Sequence, residues 1–264
     1  MEGLGKPVNN YAQQFRLDSK VAIVTGASKG IGASIAKGLA EFGASVVVSS
    51  RNQEAIDEVA KELNQEGYSC IAKACNVGSN DQVQALCEAT VQAFGGVDII
   101  VNNAATNPVY GPIEDIDDRA FNKIFDVNVK GPFLLSKLAL PSMKSRGSGS
   151  IINIASVEGL KPSKGIGMYG VSKAALISLS QVQAKEWGKY NIRVNVICPG
   201  LVKTKFSQAL WTNEKIMDQV TTHLPIGRMA EADEMSGLAI YLASDASSYV
   251  TGGVFVADGG HMIA

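Results

Sequence analysis

The chain is poor in the residues that hold metals. Among 264 residues there are only four cysteines and two histidines. Cys70, Cys75, Cys87 and Cys198 show no C-x-x-C spacing, and neither His223 nor His261 lies near a cysteine in sequence. A zinc site needs clustered ligands, so no metal is expected. Scattered thiols suit a reducing compartment. An excess of one charge is also missing. The 24 basic and 25 acidic residues leave a formal net charge of −1, which gives no electrostatic grip on nucleic acid or an anionic membrane. No stretch has the ~20 apolar residues of a membrane-spanning helix. The opening residues lack an apolar core of signal-peptide length, and Met262, Ile263 and Ala264 are not a peroxisomal address. A cytoplasmic protein is expected. No linker, repeat or low-complexity segment divides the sequence. One domain over 17–264 is expected, preceded at 1–16 by a polar arm that a neighbouring subunit would order.

What is present is an alternation of short apolar runs and helical patterns. Strands are expected at 21–25, 46–48, 69–74, 97–101, 150–155, 192–197 and 254–256. Between them the pattern predicts helices ending near Phe42, over 53–65, from a capping box at Ser79-Asn-Asp-Gln82 to Phe94, over 117–146, over 168–188 and over 231–243. Residues 204–222 are helical in pattern but irregular. This order predicts one α/β, Rossmann-type, doubly wound domain: a parallel sheet with helices on both faces. Ligands of such a sheet collect at the carboxyl ends of its strands.

The first strand runs into Thr25-Gly26-Ala-Ser28-Lys29-Gly30-Ile31-Gly32. Gly26 permits a tight turn, Gly30 lets the backbone approach a pyrophosphate, and Gly32 lets the next helix lie close to the sheet. The amides and dipole of that helix N-terminus then favour phosphate. An acid that holds a ribose 2′-hydroxyl belongs about 20 residues on, at the end of the second strand. There the sequence reads Ser49-Ser50-Arg51-Asn52, with no carboxylate. Arg51, Lys29 and Ser50 together suit a 2′-phosphate, which favours NADP(H) and leaves NAD(H) possible. A solvated surface arginine is the alternative.

Tyr169 and Lys173 are four residues apart at the start of a helix, so they share one face. Tyrosine is a poor base at neutral pH, and a neighbouring ammonium is expected to favour its phenolate. Such a tyrosine can give a proton to an alkoxide or take one from an alcohol. Alone, the pair is equally an exposed couple on a helix. Ser156, 13 residues earlier, ends the fifth strand at the same sheet edge, where its hydroxyl can polarise a carbonyl.

Taken in order, Thr25 to Gly32, Asn102-Asn-Ala-Ala105, Asn128, Ser156, Tyr169-x-x-x-Lys173 and Pro199-Gly200 resemble the short-chain dehydrogenase/reductase family over about residues 17–260. The resemblance implies a seven-stranded sheet and a homo-oligomer, with a tetramer expected. It implies Tyr169 as acid/base, Lys173 on the nicotinamide ribose, and Ser156 orienting substrate. Asn128 would fix a water that relays protons to Lys173. Asn103 and Ala104 would line the cofactor, and Gly200, Val202 and Thr204 would meet its nicotinamide end. The chain departs from the pattern at Asn76-Val77, where the family commonly has Asp beside the adenine, and at Ala105, where it has glycine. Within the family the resemblance is to NADP-dependent carbonyl reductases of the peroxisomal retinol dehydrogenase/reductase type. It rests on residues 46–51, 103–108 and 199–211.

The segment at about 204–222 is expected to form a substrate lid. Phe206, Leu210, Trp211 and Met217 would present an apolar wall, with Tyr110 and Leu160 joining from other loops, or would pack inward. Glu158 would meet a polar substrate or stay a solvated loop acid. These features predict a carbonyl reductase or secondary alcohol dehydrogenase acting on a ketone or alcohol. An NAD-dependent alcohol or sugar-acid dehydrogenase, using Glu158 and Asn107, is the alternative enzyme. A non-catalytic dinucleotide-binding regulator is weakened by the intact Ser156, Tyr169 and Lys173.

Overall fold

A computed structural model describes residues 10–212, 221–222 and 224–264. Seven strands form one sheet: β1 Val21–Thr25, β2 Ser45–Ser49, β3 Cys70–Ala72, β4 Ile99–Asn102, β5 Gly149–Ile154, β6 Ile192–Pro199 and β7 Val254–Ala257. Their order is β3-β2-β1-β4-β5-β6-β7, and every neighbouring pair is parallel. The strands are near-continuous apolar runs because both faces are covered. Along β1, Ala22 and Val24 pack to one side while Ile23 packs to the other. Helices α1 Gly30–Glu41 and α2 Gln53–Gln65 cover the first face. Helices α3 Asn80–Phe94, α4 Asp118–Phe125, α5 Gly131–Arg146 and α6 Gly167–Trp187 follow in the chain, and α3, α5 and α6 pack on the second face. The short α7 Gln208–Trp211 lies after β6, and α8 Ser236–Ala243 returns to the first face. Strand order reverses between β1 and β4, which puts the ligand crevice at the carboxyl ends of those strands.

Three local expectations change. The single helix expected over 117–146 is α4 and α5 joined by a π-helical turn, Asp126–Lys130. Pro132, the second residue of α5, lacks the amide an unbroken helix would use there. The capping box at Ser79 is absent. Ser79 caps α3 without a side-chain bond, and Gln82 instead accepts from the Asn76 amide at 2.8 Å. The third strand is shorter than expected, although the Lys73 and Cys75 amides still donate to the Val48 and Ser50 carbonyls at 3.1 and 2.8 Å, and the outward Ala74 amide is taken by the Gln53 side chain at 2.9 Å. Of the expected arm, Ala12–Phe15 forms a 3-10 turn within the same chain, and the Phe15 ring lies 6.4 Å from that of Tyr241.

Candidate active site

The glycine turn is fastened from the neighbouring strand. The Thr25 hydroxyl accepts from the amides of Asn103 and Ala104, both at 3.1 Å, and donates to the Val101 carbonyl at 3.3 Å. The Asn103 side-chain amide donates to the carbonyls of Thr25 and Gly26 at 3.0 and 3.1 Å. Asn103 and Ala104 therefore brace the turn through both backbone and side chain. Gly26 and Gly30 have φ of +65° and +56°, where a Cβ is strained. A Cβ on Gly26 would also stand 2.9 Å from the Ala104 Cα. On Gly32 it would collide with the Asn103 side chain and the Gly26 carbonyl. Lys29 caps α1 with no side-chain bond, so the first amides of a 12-residue helix have no side-chain acceptor there. This shape and dipole fit a pyrophosphate. Ser28 and Ile31 are partly buried in the same turn.

At the end of β2, Ser50 and Asn52 are occupied locally. Asn52 caps α2 by accepting from the Ala55 amide at 3.3 Å, and the Ser50 hydroxyl donates to the Asn52 carbonyl at 3.2 Å. Arg51 and Lys29 are exposed, and neither has an ion pair among the described residues. The Asn76 side-chain oxygen accepts from the Gly78 amide at 3.2 Å, and Val77 is buried against Gly131.

Lys173, Ser156 and Tyr169 meet at the carboxyl end of β5. Lys173 is only 2% exposed, and its Nζ donates to the Ile154 carbonyl at 2.7 Å and lies 5.5 Å from the centre of the Tyr169 ring. Ser156 is buried, and its hydroxyl accepts from the Glu158 amide at 3.1 Å. Burial pushes the Lys173 ammonium down to about 8. Tyr169 is partly exposed as a residue, yet the protein packed around its hydroxyl pushes the phenol above its ordinary range, against the opposing effect of the Ser156 hydroxyl. This corrects the expectation that Lys173 holds the phenol low. Desolvation is the largest influence on Tyr169, and it favours the neutral form.

Asn128 is fully buried in the π-helical turn. Its side chain accepts from the Thr106 amide at 2.8 Å and donates to the Thr106 carbonyl and the Ser172 hydroxyl, both at 3.0 Å. Ser172 in turn donates to the Tyr169 carbonyl at 2.7 Å. Asn128 thus ties the loop after β4 to the first turn of α6. Thr25, Thr106 and Ser172 were not singled out from the sequence as site residues. Thr25 opens the glycine motif and Ser172 adjoins Lys173, and those positions were the available signals.

Beyond β6, Gly200 leaves no room for a Cβ beside the Asp258 backbone, and Val202 is buried and bridges to Ala230. The Thr204 methyl lies 3.2 Å from where a Cβ of Gly30 would stand. Phe206 is 60% exposed, with its ring centre 5.8 Å from that of Tyr169. Trp211 donates from its indole to the Thr204 carbonyl at 2.9 Å. Glu158 accepts from the Ser163 amide and hydroxyl at 2.7 and 2.9 Å, which closes its own loop. Tyr110 packs on Gly165, and Leu160 is exposed. The Leu210 side chain, Met217 and His223 lie outside what is described. Among the described residues no group of His, Cys, Asp or Glu could hold a metal, and no helix is long and apolar enough to cross a membrane.

A family model described as enoyl-(acyl carrier protein) reductase matches residues 26–262. The human protein named dehydrogenase/reductase SDR family member 4 is 41% identical over 244 residues, covering 92% of this chain and 88% of its own. A gluconate 5-dehydrogenase from Burkholderia cenocepacia, solved with NADP and tartrate, superposes with a TM-score of 0.92 at 33% identity, covering 97% of this chain and 100% of its own. A 7α-hydroxysteroid dehydrogenase, solved with NADH and 7-oxo glycochenodeoxycholic acid, gives 0.91 at 35% identity, covering 94% and 96%.

Proposed function

The chain belongs to the short-chain dehydrogenase/reductase family, and from that premise we propose that it works as an NADP-dependent carbonyl reductase and secondary alcohol dehydrogenase. It is an NAD(P)-dependent oxidoreductase acting on CH–OH and C=O groups. The observation that carries the finer reading is the buried convergence of Ser156, Tyr169 and Lys173 at the strand edge that also holds the glycine turn.

The nicotinamide, when bound, supplies or accepts the hydride. The protein does the rest. The Ser156 hydroxyl donates to the substrate oxygen and polarises the carbonyl. Tyr169, kept protonated by burial, gives its proton to that oxygen as negative charge develops there. Lys173 spends one of its three ammonium donors on Ile154 and has two left for a ribose hydroxyl. Its charge also steadies the phenolate that Tyr169 leaves behind. Asn128 positions the first turn of α6 through Ser172.

One similar structure holds NADP and another NADH, so the preference for NADP(H) rests on this chain's own residues. Arg51 is exposed at the end of β2 where no carboxylate stands, and Lys29 rises from the adjoining turn. Gly26, Gly30 and Gly32 would hold the pyrophosphate, Asn76 the adenine, and Gly200, Val202 and Thr204 the nicotinamide end. The Glu158 carboxylate accepts from Ser163 within its own loop, which supports its reading as a loop acid. A homotetramer and a cytoplasmic location complete the proposal, and light scattering tests the first. The decisive experiment is a turnover screen of ketones and secondary alcohols with NADPH, NADH and their oxidised forms. Ketone reduction with NADPH preferred is expected. A preference for NADH, or no turnover of any carbonyl, would overturn the reading.

A further inference from the structure

Two asparagines face each other inside the sheet. Asn102 ends β4, Asn153 stands next to the end of β5, and the two are register partners. Both are buried, at 3% and 1% exposure, and so are Ser136 on α5 and Ser180 on α6. The Asn102 side-chain amide donates to the Asn153 Oδ1 at 2.7 Å and to the Ser136 hydroxyl at 3.3 Å. The Asn153 side-chain amide donates in turn to the Ser180 hydroxyl at 2.7 Å, and Ser180 donates to the Leu176 carbonyl at 2.6 Å. Asn153 thus spends its acceptor on β4 and its donor on α6. A carboxylate there could not donate, and an aliphatic side chain could do neither. Ser180 lies seven residues beyond Lys173, two turns along the same face of α6. Lys173 is held by the Ile154 carbonyl and Ser180 by the Asn153 side chain, so α6 is tied to consecutive residues of β5 at two points. At the other end, Asn102 precedes Asn103, whose side chain spans the Thr25 and Gly26 carbonyls. A line of hydrogen bonds, with one backbone step from Asn103 to Asn102, therefore joins the glycine turn to the helix that carries Tyr169.

We propose that Asn153 and Ser180 are positioning residues, a buried strut that sets the Tyr169 hydroxyl at a fixed place relative to the cofactor platform. This rests on the reading of Tyr169 as the proton donor, and it assigns to named side chains the register between that donor and the hydride. Hydride and proton must reach the two atoms of one carbonyl group. The cofactor platform belongs to β1 and β4, whereas the phenol rides on α6. Apolar contact is non-directional and lets a helix slide over a sheet. Hydrogen bonds weaken steeply once bent, so a chain of them selects one depth and one rotation of α6. Exchanging a buried hydrogen-bonded pair for apolar groups of the same shape is nearly neutral in stability, so what the strut supplies is position.

The test compares wild type with Ser180→Ala and Asn153→Val. Val194→Ala serves as the control, because it opens the buried core of the same face of the sheet without touching the strut. Melting temperature, NADPH affinity, ketone affinity and the single-turnover rate of ketone reduction are measured on each preparation. The rate is taken in H2O and D2O, and with NADPH deuterated at the transferred position. A displacement of ~1 Å in a reacting group costs ~10²-fold, so Ser180→Ala should lower the single-turnover rate by roughly 10- to 100-fold, with both affinities unchanged. The D2O effect should rise, because a misplaced phenol makes proton transfer the slower event. Asn153→Val exchanges the amide for an apolar side chain suited to a strand and should show the same pattern. Val194→Ala should lower the melting temperature and leave both isotope effects as they are in wild type. An unchanged rate in folded Ser180→Ala and Asn153→Val overturns the proposal while leaving the reductase reading intact. A slower rate with unmoved isotope effects marks a smaller folded fraction and also overturns it, as does the same D2O response in Val194→Ala. A wild type that reduces no carbonyl at all removes both readings.

Discussion

The Nζ of Lys173 and the carbonyl of Ile154 lie 2.7 Å apart across the contact between α6 and the end of β5. The bond anchors a buried ammonium on the strand that delivers Ser156 two residues later. It explains how the cation keeps a fixed place while burial lowers its affinity for the proton to about 8.

That shift has a thermodynamic consequence. In the unfolded chain a lysine titrates near 10.5, and in the folded chain Lys173 titrates near 8. Between those values the unfolded state binds more protons, so this group's contribution to stability rises with pH across the window. Below pH 8 the folded state carries the full penalty of a desolvated charge, on the order of 3 kcal/mol. Lys173→Met removes the penalty along with the bond to Ile154, which contributes about 1.5–3 kcal/mol as a charged hydrogen bond. The stability of the variant relative to wild type should therefore be greatest at pH 7 and should decline toward pH 10.5. The buried thiols are common to both proteins and cancel in the comparison. Urea melts at pH 7, 8, 9 and 10 measure it, and a difference that is flat with pH would sink the idea.

Tyr169→Phe removes the hydroxyl that carries the transferable proton and leaves the ring against Phe206. Turnover should fall by about 10²- to 10⁴-fold, the usual contribution of a general acid. Cofactor affinity, read by fluorescence titration, should change little. Retention of more than about a tenth of the wild-type rate would reassign the proton to another group.

Arg51→Ala separates the two dinucleotides. Loss of a hydrogen bond to a charged group costs about 1.5–3 kcal/mol, so NADPH should bind roughly 10- to 100-fold more weakly. NADH, which lacks the 2′-phosphate, should bind as before. Equal losses for both would make Arg51 a solvated surface residue.

At the opposite edge of the sheet, Asp98 is 4% exposed and holds three elements together. It accepts from the Val21 amide at 2.8 Å and from Arg146 Nε at 2.7 Å, while Arg146 also donates to the Ser19 carbonyl at 2.9 Å. Asp98→Ala leaves the buried Val21 amide without its acceptor and releases the exposed Arg146 guanidinium to water, and should cost about 1–3 kcal/mol. Folded molecules should keep their turnover, because the pair lies far from Tyr169 along the strands. A melt showing a loss under about 1 kcal/mol would mean that water replaces the carboxylate.

The elements were legible where periodicity is local. Val21–Thr25 and Gln53–Gln65 fall where the apolar pattern puts them, and the alternating order of runs and helices is enough to give the parallel sheet. The glycine turn and the Tyr169–Lys173 pair were legible for the same reason, as short spacings on one element. What escaped notice depends on partners distant in the chain. The Thr25 hydroxyl meets amides 78 and 79 residues away, and Asn128 meets Ser172 at a separation of 44. Nothing in a local window distinguishes such side chains from any other buried threonine or serine. The phenol shift was misjudged for a related reason. Spacing shows that an ammonium is near, whereas the burial that raises the phenol, the opposing Ser156 hydrogen bond and the charges of Glu158 and Cys198 all arise from the folded surroundings.

The clasp between Thr25 and Asn103 bears on how freely this protein can be recombined. Its phosphate turn is a joint product of two segments far apart in the gene, one supplying the loop and the other the hydroxyl's partners and the amide that spans its carbonyls. Grafting residues 21–32 from a homologue to alter dinucleotide choice would transplant half of a hinge. A chimera that changes cofactor without losing affinity has to bring residues 101–104 along with the glycines.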